Sequence, residues 1–69
     1  MATFHAGLCQ VLDGKLLGPY EGANIEVETT ADAIRRAKEW TARVEVTEGS
    51  WLQVVHEGKC FASFKPGEF

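Results

Sequence analysis

Residues 29–44 carry the chain's single helical pattern, and the other apolar runs have the spacing of strands. A lone helix can cover only one side of whatever sheet those strands build. Ala33, Ile34, Ala37, Trp40 and Val44 recur at three- and four-residue intervals, which puts them on one helical face. Asp32, Arg35, Arg36, Lys38, Glu39 and Arg43 take the remaining positions. Thr29 opens the helix, because its hydroxyl can accept from the amide three residues on. Asp32, at that position, can reach back as in a capping box and suits the positive end of the helix dipole. Ala33 and Ala37 are small enough to let the helix axis approach a sheet closely, with Trp40 filling the space beside them.

The rest of the chain reads as hairpins and loops. Residues 3–12 are rich in strand formers, and Asp13-Gly14 supplies the pair that a tight hairpin turn needs at positive φ, so residues 15–18 should return as a short second strand. Gly18-Pro19-Tyr20-Glu21-Gly22 reads as a surface loop. Ile25-Glu26-Val27-Glu28 alternates apolar with acidic residues and fits a brief strand leading into the helix. After a break at Glu48-Gly49-Ser50, residues 51–55 and 59–64 form a second hairpin around His56-Glu57-Gly58. The tail from Lys65 to Phe69 reads as a fraying end. The expected fold class is α+β, two layers deep: an antiparallel sheet of two hairpins with one amphipathic helix packed on one face. With 69 residues, one domain over 1–69 and one core are all the length allows.

With Glu57 and Gly58 as the two loop residues, Trp51, Val55, Cys60, Ala62 and Phe64 share one face of the second hairpin and Leu52, Val54 and Phe61 share the other. Both faces are then apolar. Leu52, Val54 and Phe61 are therefore expected to form a dimer interface, with a two-fold related copy of the chain as the simplest cover. An end-on loop or the C-terminal tail is the other candidate cover. A partner chain also suits the size, since chains below about 70–80 residues rarely draw more than roughly 3–5 kcal/mol of stability from one core.

Ten acidic against seven basic side chains give a net charge of −3, which argues against whole-surface attraction to nucleic acid or to anionic membrane. Residues 30–44 depart from this balance, with four basic and two acidic side chains, a local +2 that leaves −5 for the rest of the chain. Arg35, Arg36, Lys38 and Arg43 are the candidate partner-binding residues, since guanidinium groups make bidentate contacts to phosphates or carboxylates. The alternative is the solvated side of an amphipathic helix, where Arg35 with Glu39 and Glu39 with Arg43 make pairs worth about 0.2–0.5 kcal/mol each.

Catalysis needs a nucleophile or base, a group that orients it and a pocket that excludes water. His5 and Cys9 would lie roughly 13 Å apart along a strand, His56 falls at a hairpin tip, and no phosphate-cradling glycine spacing is present. No enzymatic activity, cofactor, metal site or small-molecule substrate is expected. Cys9 and Cys60 lack zinc or redox spacing and read as two buried small hydrophobes in a reducing compartment, with a disulfide open only if the first and last strands are neighbours. No stretch approaches about 18 uninterrupted apolar residues, and the N-terminus lacks the cationic start and apolar run of a secretion signal. A cytoplasmic, non-enzymatic protein that binds another macromolecule is the resulting expectation.

Two family resemblances bear on these expectations. The order of a strand, Asp13-Gly14, a helix from Thr29 and then the run from Trp51 to Lys59 is similar to small uncharacterised bacterial domains of the β-α-β-β kind, which implies the fold alone. Glu21-Gly22 followed by Ile25-Glu26, a Thr-led helix with Ala33, Arg35 and Ala37, and a final hairpin with Gly49, Trp51-Leu52 and Gly58-Lys59 resemble a family of small anti-CRISPR proteins that block target DNA binding by a type I surveillance complex. That likeness covers about two thirds of the chain. It implies that Arg35, with Arg36 and Lys38 beside it, contacts protein subunits along a nucleic-acid groove. Where the family continues with lysine later in the helix, this chain has Glu39 and Trp40.

Overall fold

The computed structural model describes residues 1–69, which form six strands and one helix in the order β1 (Ala2–Cys9), β2 (Val11–Leu12), β3 (Lys15–Leu16), β4 (Glu21–Val27), α1 (Thr30–Thr41), β5 (Trp51–His56) and β6 (Lys59–Phe64). Four of the strands make one antiparallel sheet in the order β4-β1-β5-β6, and β2 with β3 makes a separate two-stranded ribbon. α1 packs across one side of the large sheet, so the α+β class and the two layers are as the sequence leads one to expect.

Both tight turns form at the residues whose chemistry favours them. Asp13 and Gly14 take φ of 52° and 76°, and Glu57 and Gly58 take 51° and 78°, the positive pair that joins twisted strands with two residues. The strand partners differ from expectation. Residues 15–18 do not return along β1; β2 and β3 pair only Val11 with Leu16 and Leu12 with Lys15. β1 instead pairs along its length with β4, from Ala2 opposite Val27 to Leu8 opposite Glu21. β4 is thus seven residues long and absorbs the end of the segment read as a loop. The reason is burial: Phe4, Ala6 and Leu8 alternate on β1, and Ala23, Ile25 and Val27 alternate on β4 to match them on the same face.

β5 lies antiparallel to the other side of β1, with Ala6 opposite Val54 and Leu8 opposite Leu52. β4 and β5 therefore run parallel to each other with β1 between them, and α1 is the crossover that joins them. At its start Thr29 is extended, at φ −129° and ψ 156°, and its Oγ1 accepts from the Asp32 amide at 3.1 Å, as a cap of this kind should. The helix ends at Thr41, so Val44 joins the core margin from beyond it. Ala33 and Ala37 are fully buried and Trp40 is nearly so, against Phe4, Ala6, Leu8, Ile25 and Val27 of the first strand pair.

The second hairpin overturns part of the expected interface. His56 sits opposite Lys59 and Val55 opposite Cys60, but Val54 then pairs with Ala62 and Leu52 with Phe64. Phe61 is an extra residue, a β-bulge. One inserted residue exchanges the faces of everything beyond it, so Ala62 and Phe64 turn to the same side as Leu52 and Val54, and that side is the one under α1. Leu52 and Val54 are 0% exposed within a single chain. They are core residues and no dimer interface. Phe61 remains half exposed at the margin, its ring 6.2 Å from that of Phe4 and 6.0 Å from that of His56. The tail is also anchored: the Lys65 amide donates to Glu68 Oε1 at 2.7 Å, the Glu68 amide to Lys65 O at 3.0 Å, and Phe69 packs on the core margin.

Candidate functional site

The register of the large sheet decides which side chains point away from α1. β1 turns Thr3, His5, Gly7 and Cys9 outward, β5 turns Trp51, Gln53 and Val55 outward, and β6 adds Cys60 and Ser63. The chain holds seven basic and ten acidic side chains, yet none of these positions on three adjacent strands carries one. The outward charge comes in only with Glu26 on the edge strand β4.

One end of this outward face is covered by the segment between β1 and β4. Pro19 lies over Gly7, so closely that a Cβ there would come within 3.2 Å of the Pro19 Cβ. The Tyr20 amide donates to Leu8 O at 3.0 Å. Its phenol oxygen lies 2.6 Å from the oxygen of buried Ser50 and accepts from the Thr47 amide at 3.1 Å, fastening the segment to the α1–β5 loop. Burial raises the phenol pKa, but the hydrogen bonds to Ser50 and Thr47 outweigh it and leave the group below the ordinary tyrosine value. The β2–β3 ribbon stands beside Trp51 and Ser63, where Val11 and Leu16 line a shallow depression with them. Val11, Leu12, Leu16 and Leu17 remain 40–61% exposed. Half-buried Trp51 thus continues into a ribbon of exposed aliphatic side chains, with half-buried Val55 four residues further along β5.

The four basic residues of the helix are not brought together as one patch. Arg35 is held by Asp32 at 3.7 Å and Glu39 at 3.3 Å. The Lys38 ammonium sits 4.4 Å above the Phe64 ring, toward β6, a favourable cation–π contact. Arg36 and Arg43 lie on the opposite flank, where they line a groove with Trp40 and with residues 23–26 of β4. Neither makes an ion pair, so the expected Glu39–Arg43 pair does not form.

His56 is not a solvated hairpin tip. Its ring stacks on Phe4 with centroids 4.4 Å apart, and Nδ1 lies 2.8 Å from Thr3 O, which makes that nitrogen the protonated one in the neutral ring. No group of three or more His, Cys, Asp or Glu side chains is placed to hold a metal ion. No helix is long and apolar enough to cross a membrane.

Cys9 is buried as expected, but Cys60, on the edge strand β6, is exposed and is no core residue; both thiols are free. β5 lies between their strands, and two interstrand spacings of about 4.8 Å exceed the Cα separation a disulfide spans. The disulfide left open by the sequence is therefore excluded within one chain. Burial, with a smaller contribution from Cys60, pushes the Cys9 thiol up, and Cys9 Sγ is 3.8 Å from Gln53 Oε1. A thiol reagent added to dilute native chain should titrate Cys60 alone in a fast phase, with Cys9 reacting only on unfolding; two fast thiols would contradict the burial of Cys9.

Comparison with protein-family models, with curated proteins and with solved structures gave no match to this chain.

Proposed function

We propose that this chain is a non-enzymatic interaction protein that docks another macromolecule on the outward face of its sheet. The observation that carries this reading is the missing charge: across β1, β5 and β6 no outward position bears a charged side chain, while half-buried Trp51 and Val55 lie on it toward the two ends of β5. Depletion of charge with retention of aromatic side chains is what distinguishes the middle of a protein interface from ordinary surface, and tryptophan is among the residues enriched as binding anchors. Free thiols fit a reducing compartment, and the reading places the protein in the cytoplasm.

A second reading, an anti-CRISPR-like inhibitor or regulator that engages a nucleic-acid-handling complex through α1, draws on the unpaired Arg36 and Arg43. Of the basic residues it needs, Arg35 and Lys38 are already engaged within the chain. A photo-reactive maleimide separates the two readings. Attached at Cys60 it reports on the sheet; attached in an Arg36→Cys, Cys60→Ser variant it reports on the helix. Adducts to protein formed from Cys60 are the expected result. Adducts from position 36 alone, or from neither, would remove the sheet face as the working surface.

A further inference from the structure

The large sheet has two edges, and the chain treats them differently. β6 is blunted in the ways that keep an edge from pairing: a bulge at Phe61, Lys59 at its start, Lys65 and Pro66 directly beyond its end, and the Cys60 thiol turned onto Ala62 O at 3.3 Å. β4 has no such device. Its seven residues pair with β1 in unbroken register from Glu21 to Val27, without proline, lysine or bulge. No hydrogen bond from a loop, a turn or a side chain reaches its backbone. Its outer row of amides and carbonyls is open over roughly 24 Å, at about 3.4 Å per residue.

We propose that this edge takes an extended segment of another protein as a fifth strand, and that the segment carries carboxylates at alternate positions, turned toward α1. An open ladder is satisfied along its whole length by one kind of ligand, another extended chain. The site lies apart from the outward sheet face and stands or falls separately from it.

The carboxylates follow from the helix flank. Arg36 and Arg43 line the groove between α1 and residues 23–26 of β4, and neither makes an ion pair within the chain. They are seven residues apart, about 10.5 Å along the helix. Side chains two or four places apart on one side of a strand are about 7 or 14 Å apart, so a pair of acids at either spacing lies within reach of both guanidinium groups, the charge-assisted pairing that arginine makes best. The intervening positions of an added strand would pass Asn24 and Glu26 on the other side of the sheet, where a second row of acids would meet Glu26. Acids therefore belong on the helix side alone.

Charge also rules out a second copy of this chain. Two β4 edges joined about a two-fold axis would set Arg36 and Arg43 of one helix against the same pair of the other. The β6 edge brings Lys38, which sits over Phe64 on the helix side. Both of the chain's own edges present bases where the groove calls for acids.

Fluorescence anisotropy of the full chain with a labelled eight-residue peptide that alternates glutamate with threonine tests the proposal. The expected result is saturable binding below millimolar concentration. Arg36→Gln with Arg43→Gln, both at exposed positions, should weaken it about tenfold or more, since exposed ion pairs are each worth up to about fivefold. Glutamine in place of glutamate in the peptide should do the same. Arg35→Gln with Lys38→Gln should leave affinity unchanged. Two further peptides, N-methylated at every second residue in opposite parity, test the strand itself: one blocks the amides that face β4 and should lose binding, and the other should keep it. Absence of binding up to millimolar peptide would overturn the proposal, as would binding that survives both N-methylated peptides or the loss of both arginines. A single-stranded oligothymidylate that binds at Arg36 and Arg43 in the peptide's place would overturn it too, because it offers β4 no amides.

Discussion

Leu52→Ala should lower the stability of the folded chain by about 2–5 kcal/mol, the range for truncating a buried leucine. Leu52 is 0% exposed, sits opposite Leu8 of β1 on one side and Phe64 of β6 on the other, and lies under α1. Its loss removes apolar contact and opens a void that β1 and β6, both fixed by strand pairing, cannot close. A chain of this size rarely draws more than roughly 3–5 kcal/mol from its core, so the variant should populate the unfolded state at room temperature and lose its native baseline in urea. The same substitution separates two pictures of the second hairpin. A leucine at a contact between copies would, on truncation, weaken association and leave the isolated chain as stable as before. A urea midpoint that Leu52→Ala does not move would therefore undo the register of β5 with β1 and β6, including the bulge at Phe61.

Trp40→Ala should cost about 3–5 kcal/mol for a similar reason with a different consequence. Trp40 is the one aromatic side chain of α1 and is 9% exposed; its neighbours on the buried face, Ala33 and Ala37, are too small to fill the space it would vacate. A twelve-residue helix is marginal in water by itself, since nucleation is costly and helices shorter than about 12–15 residues rarely persist alone. The helix is held by the sheet rather than by its own propensity, so circular dichroism should report loss of helix and of tertiary signal in one transition. Retention of the helical signal, with a midpoint shifted by less than about 0.5 kcal/mol, would mean that α1 is anchored elsewhere. The Arg36–Arg43 groove against β4 is lined in part by Trp40 and should change shape with its loss.

Residues 29–44 announced the helix because capping chemistry and a 3.6-residue period are properties of neighbours in sequence. Asp13-Gly14 and Glu57-Gly58 announced their turns because few residue pairs enter positive φ without strain. The basic side chains of α1 were visible by name but not by company: that Arg35 is tied to its own helix and Lys38 to Phe64, leaving Arg36 and Arg43 on the other flank, depends on which strands lie beneath each side of the helix. The Tyr20–Ser50–Thr47 clasp joins segments 27 and 30 positions apart and left no local trace.

Local sequence thus determined the α+β class, the extent of the helix to within a few residues and both two-residue turns, whereas the second apolar face expected of the last hairpin is not there, since Leu52, Val54, Ala62 and Phe64 all turn to the helix. Tertiary structure alone decided that β1 pairs with β4 and β5 rather than with its own hairpin return, and which side of the sheet is left open. A strand's inward side is set by parity, and a single unpaired residue at Phe61 reverses parity for the rest of the strand. Nothing in the neighbouring residues marks that insertion. It is chosen by whether Ala62 and Phe64 gain more by facing α1 than the ladder loses by bulging, and that balance exists only once the helix, β1 and β5 are in place.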